Sequence, residues 1–497
     1  MIGRWIERHA EHTPEATALR FGADRISYAG FASHVAATAA LLDRHGIGHG
    51  DRVGFLGHNH PSQLVLLFAC ARLGAVQVPL NWRLAEPELA LILEDSEAVA
   101  VFASPELRPV AQRAAPPGCE VLDAEAAWPG LVSSRLAPPA AASLPEAAEP
   151  EDPVLLVYTS GTTGEPKGAV LDHRALLFNA LNSQHMHALT AADRVLTVLP
   201  LFHVGGLNIQ TTPALLAGAE VVLLPRFDPA GFLAACTECR PTLTLLVPAV
   251  MQALVAHPGW AAAGLDSLRA VGAGSSHVPL PLIEAFHARG LPVQQVYGAT
   301  ETGPIAIYQL REEALAAPGS IGRAALHGEA RVVDAAGQPL PPGQTGEIQL
   351  RGPHVARGYW QAPEATEAAW RDGWFATGDI GRVDAAGRFW FTDRLQHLII
   401  SGGENIHPAE VERVLATAPG VREGAVCGRP DARWGEVPVA VVVPGPGFNA
   451  AAVLAHFDGR LARFKHPRAV VAVLELPRTA LGKVQLTALR RLAATRS

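Results

Sequence analysis

At 497 residues, with 49% apolar and 18% charged, the chain has the composition of a globular protein and length for roughly two to four domains. The formal net charge is −7, without a run of lysines or arginines, which argues against a nucleic-acid or anionic-membrane surface. Five scattered cysteines fit a reducing, cytoplasmic setting. The lone pair Cys236/Cys239 has no second pair or nearby histidine to complete a metal or redox centre.

The first residues, MIGRWIERHAEHTPEATALRFG, look amphipathic and lack the apolar core of a signal peptide. Up to about residue 130, helix-like stretches alternate with short apolar runs. RVGFLGHN, PSQLVLLFACARLGA and VQVPLN read as strand, helix, strand. Gln63, Arg72 and Pro79 break that apolar stretch well short of membrane-spanning length. The Ala/Pro-rich segment 133–153 reads as a linker or surface excursion. VLLVY follows as a buried strand that delivers YTSGTTGEPKGAV (158–170) as a loop.

From about 193 to 300, RVLTVLP, EVVLLP, TLTLLVP and LPVQQVYG alternate with helical segments, the pattern of a mostly parallel sheet. Residues 320–393 are turn-rich and read as β-hairpins, and the tail from about 397 reads as a small α+β unit. The fold class expected is therefore α/β. A large N-terminal domain (1–395) of mostly parallel sheets flanked by helices, with a β-rich section, precedes a small α+β C-terminal domain (396–497), which the resemblance given below implies is mobile.

The stretch 158–170 sets four Ser/Thr hydroxyls and a glycine-rich backbone around Lys167. Many donors, little bulk and one cation are what a polyphosphate requires. The chain holds only three lysines, Lys167, Lys465 and Lys483, against 37 arginines. A lysine retained here points to a need for a compact, rotatable charge. The loop is no Walker A motif, since Gly168 rather than a hydroxyl residue follows the lysine. GAGSSH (272–277) lacks the third glycine of a dinucleotide fingerprint.

Six motifs in order resemble the adenylate-forming acyl-CoA synthetases: YTSGTTGEPKGAV, LPLFHVGG (199–206), YGATETG (297–303), TGD (377–379), DRLQHLIISGGENIHPAEVE (393–412) and PRTALGKVQL (477–486). The resemblance spans nearly the whole chain. It implies two steps: a carboxylate attacks the α-phosphate of MgATP to give an acyl-adenylate and pyrophosphate, and coenzyme A then expels AMP. The enzyme class implied is an acid–thiol ligase.

The resemblance also assigns roles. Thr159, Ser160, Thr162, Thr163 and Lys167, with Gly161 and Gly164 in the same loop, would hold the β- and γ-phosphates. Gly274 and Ser275 match the adenine-side loop. Tyr297, followed by Gly298, would stack on adenine, Thr300 would bind the α-phosphate, and Glu301 would ligate Mg²⁺. Asp379 would accept the ribose hydroxyls, and Arg394 would support the ribose or the phosphate. His203 would gate the acyl pocket, and Lys483 would reach the substrate carboxylate and α-phosphate.

On the coenzyme A side stand Gly402, Gly403 and Glu404 in the loop lining the pantetheine tunnel, Arg83 and Trp434 at the nucleotide end, and Lys465 either on the phosphates or plainly on the surface. Gln396 occupies the hinge position, where the family usually carries Asp or Lys. The acyl pocket is expected near Asn182, His203 to Leu207, Leu245 to Val247, Gly274 and Val296 to Ile305. These residues are read as apolar and small, which fits fatty or aromatic acids better than dicarboxylates and does not decide between the two. Other readings are the loading of a carrier-protein phosphopantetheine and an inactive nucleotide-binding protein. The expected partners are a small carboxylic acid, ATP and coenzyme A, with homodimerisation left open.

Overall fold

A computed structural model of the chain describes residues 1–124, 149–160, 166–275, 278–394, 399–477, 484 and 486–495. The first expected strand–helix–strand is present as Arg52–Leu56, Pro61–Leu73 and Val76–Leu80. The helix opens with Pro61 in its first turn and closes on Gly74 in the left-handed region. It is buried almost all round, which is why its sequence shows no polar stripe.

The chain divides into two units. One comprises Met1–Trp82, Leu93–Tyr158 and Gly168–Asp393; the other comprises Arg83–Ile92, Thr159–Lys167 and Arg394–Ser497. The expected domain boundary after residue 395 falls outside the described residues, as does most of the segment 133–153.

Two sheets dominate the first unit. The six-stranded one runs in the order Glu120–Asp123, Ala98–Ala103, Arg52–Leu56, Val76–Leu80, Pro153–Ser160, Pro166–Asp172. The nine-stranded one is parallel from Val293–Tyr297 through Ala270–Ala273, Leu243–Leu246, Arg194–Thr197 and Glu220–Leu223 to Thr17–Phe21. Antiparallel strands close both of its edges. Central parallel strands are covered on both faces, so they read as continuous apolar runs. The capture of the N-terminal strand Thr17–Phe21 by this distant sheet has no signature in local pattern.

The expected hairpins form a third sheet from Glu329–Val333, Thr345–Arg351, Trp370–Arg371, Trp374–Val383 and Phe389–Arg394. In the second unit, Ile399–Ser401, Glu404–Ile406, Val421–Asp431, Gly435–Pro444 and Ala469–Ala472 make one sheet, with the helices Pro408–Leu415 and Leu486–Thr495. No helix of the described residues is long and apolar enough to cross a membrane.

Candidate active site

Parallel α/β sheets present ligand sites where strands end at their carboxyl side. Here the neighbouring strands Ala270–Ala273 and Val293–Tyr297 both run directly into a glycine. A Cβ on Gly298 would lie 1.8 Å from the carbonyl oxygen of Pro304, and one on Gly274 would lie 2.5 Å from that of Val296. Any side chain at either position would push the loops apart, so the backbone closes tightly around the end of the strand pair. Ser275 follows with φ of 68°. Its Oγ lies 3.4 Å from where a Cβ on Gly205 would stand. The segment after His203 thereby faces the loop at Gly274 and Ser275.

Two tyrosines then tie two carboxylates to this loop. The Tyr297 hydroxyl donates to Asp379 Oδ2 at 2.8 Å. The Tyr359 hydroxyl donates to Glu301 Oε1 at 2.7 Å, and the Ala356 amide donates to the Glu301 carbonyl at 2.7 Å. Asp379 and Glu301 are both buried. Burial, and then the Glu301 charge, push the Tyr359 phenol well above its ordinary pKa, so it stays a donor. Thr300 and Glu301 lie in a single helical turn, Thr300–Thr302, whose Thr302 hydroxyl receives the Ala299 amide at 2.9 Å.

The segment around Tyr359 also grips the strand at the end of the 158–170 motif. Trp360 N donates to Gly168 O at 2.7 Å, and Val170 N donates to Gly358 O at 3.0 Å. Before the loop, the Tyr158 hydroxyl donates to Asp95 at 2.5 Å. Thr159 Oγ1 reaches Lys167 O at 3.4 Å across its two ends. Gly161, Thr162, Thr163 and Gly164 lie outside the described residues, as do Gln396 and Lys483; of Ser160 and Arg394 only the backbone is described.

His203 precedes the short helix Val204–Gly206, and its ring packs on Phe202 at a centroid distance of 4.5 Å. Phe202 meets Trp82 edge-on, and Trp82 stacks on His58 at 4.4 Å. Asn59 pins the approach to this ladder: its Nδ2 donates to Leu199 O at 3.0 Å, and its Oδ1 accepts from Leu201 N at 2.8 Å. Neither Asn59 nor Tyr359 was legible as a site residue. The only sequence signal is scarcity, because Tyr359 is one of five tyrosines.

The expected acyl-pocket residues Leu245, Val247, Val296 and Ile305 are buried. Asn182 is fully buried and bound at both ends of its amide, to Ile305 O at 3.3 Å and His327 N at 2.9 Å. Buried His187 and Gln210 stand with Leu245 around Gly272, and buried Gln294 is in register with that glycine on the next strand, so polar side chains adjoin these apolar residues.

In the second unit, Gly402 has φ of 60°, and a Cβ on it would lie 2.7 Å from the Trp434 ring. Its amide donates to Trp434 O at 2.8 Å, and Gly403 follows with φ of 85°. Arg83 forms an ion pair with the buried Glu404. Lys465 departs from both of its sequence readings, phosphate contact and surface lysine. It is 4% exposed and sits between Glu88 at 2.5 Å and Glu410 at 2.6 Å. Burial opposes its charge, but the two carboxylates together hold its pKa above the ordinary value. Next to it a cavity of about 720 Å³ is lined by Leu454, Arg463, Phe464, His466, Pro467 and Arg468, among others.

The family model for AMP-binding enzymes matches residues 6–360, and that for the AMP-binding enzyme C-terminal domain matches 410–483. The chain belongs to the AMP-binding enzymes. Within that family it is an adenylate-forming acyl- or aryl-CoA synthetase, which uses ATP and coenzyme A. It is 48% identical to the indoleacetate–CoA ligase of Aromatoleum aromaticum, covering 100% of this chain and 99% of that one. It is 43% identical to a feruloyl-CoA synthase of Amycolatopsis, covering 99% and 98%. The solved o-succinylbenzoate CoA synthetase of Bacillus subtilis superposes with a TM-score of 0.89 at 30% identity, covering 98% of each chain.

Proposed function

We propose that the chain activates an aromatic carboxylic acid with MgATP and transfers the acyl group to coenzyme A. The observation that carries the nucleotide half is the Tyr297–Asp379 hydrogen bond beside Glu301. It supports an acceptor carboxylate for the ribose hydroxyls and a second, oriented carboxylate for a hard cation. The oxygen of Glu301, fixed by Tyr359, suits Mg²⁺, which when bound would offset phosphate charge.

In this reading the residues of 159–167 cradle the β- and γ-phosphates, and Thr300 and Lys483 attend the α-phosphate. Lys483 also holds the attacking carboxylate, which brings two anions together and offsets charge as it builds on phosphorus. His203, braced by Phe202 and Trp82, borders the acyl side.

For coenzyme A, the cavity lined by Arg463, Arg468 and Phe464 supplies cations and an aromatic face suited to a phosphorylated adenosine. The buried polar groups beside Gly272 favour an aromatic acid over a long alkyl chain. So do the named substrates of the two relatives, indoleacetate and the feruloyl group.

The experiment is pyrophosphate release across a panel of aromatic and fatty acids, with and without free coenzyme A. Aromatic acids should turn over fastest, with thioester forming only when coenzyme A is present. Thioester formation only on a carrier-protein phosphopantetheine would favour the carrier-loading reading instead.

A further inference from the structure

On the strand Ala270–Ala273, Gly272 lies two residues before Gly274. Gln210 stands opposite: a Cβ on Gly272 would lie 3.2 Å from Gln210 Nε2 and 3.5 Å from His187 Nε2. Five residues before Gln210, Gly205 stands opposite Ser275. The segment 205–210 therefore runs alongside 275–272, from the adenine-side loop into the protein.

The hydrogen bonds here fix every proton. Ser183 Oγ donates to Ile209 O at 2.6 Å, so towards His187 it can only accept. His187 Nδ1 faces that Oγ at 3.2 Å and the Ser183 carbonyl at 3.0 Å, two acceptors, so Nδ1 carries the hydrogen. Complete burial holds the imidazole neutral, with its pKa pushed down to about 4. His187 Nε2 is thus a bare acceptor, and Gln210 Nε2 donates to it at 3.1 Å. The second amide hydrogen of Gln210 goes to Thr244 O at 3.3 Å.

Both donors of the amide are spent, and its oxygen Oε1 is buried without a partner among the described residues. Gln294, in register with Gly272, likewise leaves its Oε1 unpartnered, with its nitrogen bound to Met186 O and Gln309 O. A buried acceptor left unsatisfied carries an uncompensated desolvation cost. An alkyl chain lying against it recovers none of that, whereas an N–H or O–H does.

We propose that Gln210 is the hydrogen-bond acceptor for the end of the acid remote from its carboxylate, and that it selects aromatic acids carrying an N–H or O–H donor there. The inference rests on the aromatic acid–CoA ligase reading above. His187 is its positioning residue, because it stops the amide from turning over.

The test compares acid-dependent pyrophosphate release for matched pairs: indole-3-acetate with its N-methyl derivative, and 4-hydroxyphenylacetate with phenylacetate. The wild-type enzyme should favour at least one donor-bearing member by about tenfold or more in kcat/KM. Gln210→Leu should bring that ratio to about one by lowering kcat/KM for the donor-bearing acid. His187→Phe, which offers Gln210 no acceptor, should lower the same ratio, a readout that a general structural loss does not move. Equal wild-type kcat/KM within both pairs, or a ratio unchanged in an active Gln210→Leu enzyme, would overturn the assignment, and a water on Oε1 would then account for it. If no acid released pyrophosphate, the ligase reading itself would fall, and this one with it.

Discussion

The phenol of Tyr297 donates to Asp379 over 2.8 Å, joining the end of a parallel strand to the antiparallel sheet of 329–394. If that carboxylate holds the ribose, Asp379→Ala should raise the KM for ATP about 10- to 100-fold, the worth of one or two hydrogen bonds to a charged group. Tyr297→Phe should raise it less, because the carboxylate survives and only its orientation loosens. Steady-state kinetics with varied ATP decide it, and an unchanged KM in Asp379→Ala would remove the ribose role.

The two motif lysines should have separable signatures. Lys483→Ala should lose about 3–4 kcal/mol of transition-state stabilisation in adenylation and leave transfer from a supplied acyl-adenylate almost intact. Lys167→Ala should mainly raise the KM for ATP, since a β/γ-phosphate contact exists in ground and transition states alike. Separate half-reaction assays read both. Loss of transfer without loss of adenylation in Lys167→Ala would contradict a phosphate cradle.

Lys465 lies between Glu88 and Glu410 and not on a free surface. Lys465→Ala leaves two carboxylates uncompensated and should destabilise the protein by about 3–5 kcal/mol in urea unfolding. Arg468→Ala, on the neighbouring cavity, should instead raise the KM for coenzyme A about tenfold and leave stability alone. Unchanged stability with a raised coenzyme A KM in Lys465→Ala would restore the phosphate role for that lysine.

Much of this was legible in the sequence. Buried parallel strands announce themselves as apolar runs bounded by turns, and strands such as Val293–Tyr297 lie within the stretches quoted for them. The glycines of GAG and YGA mark where a backbone needs room, and Gly274 and Gly298 are indeed crowded. The partners of these motifs were not legible. Tyr359 meets Glu301 from 58 residues away, and Glu88 meets Lys465 from 377 away, and no local pattern carries such pairings. The amides of Gln210 and Gln294 were missed for another reason. They interrupt apolar runs singly, and a lone polar residue in a core segment carries no sign of which partner satisfies it.

Acid should weaken the fold through its buried imidazoles. Burial pushes the pKa values of His173, His187 and His354 down to about 4 from an ordinary 6.5. Between those values the unfolded chain binds more protons than the folded one, so stability is complete above pH 6.5 and falls as pH drops towards 4. The carboxyls of Asp172 and Glu412, raised by burial, act in the opposite direction. With three imidazoles shifted so far, the urea midpoint should be lower at pH 5 than at pH 7.5. A higher midpoint at pH 5 would show that the carboxyls dominate.

The most direct test of the central claim is acid-dependent exchange of labelled pyrophosphate into ATP, run without coenzyme A and with indole-3-acetate as the acid. Adenylation is reversible and needs no thiol, so label should enter ATP only when the acid is present. Adding coenzyme A should then convert the same acid to its thioester with release of AMP. Exchange without any acid, or thioester formation accompanied by ADP and phosphate instead of AMP and pyrophosphate, would contradict the account.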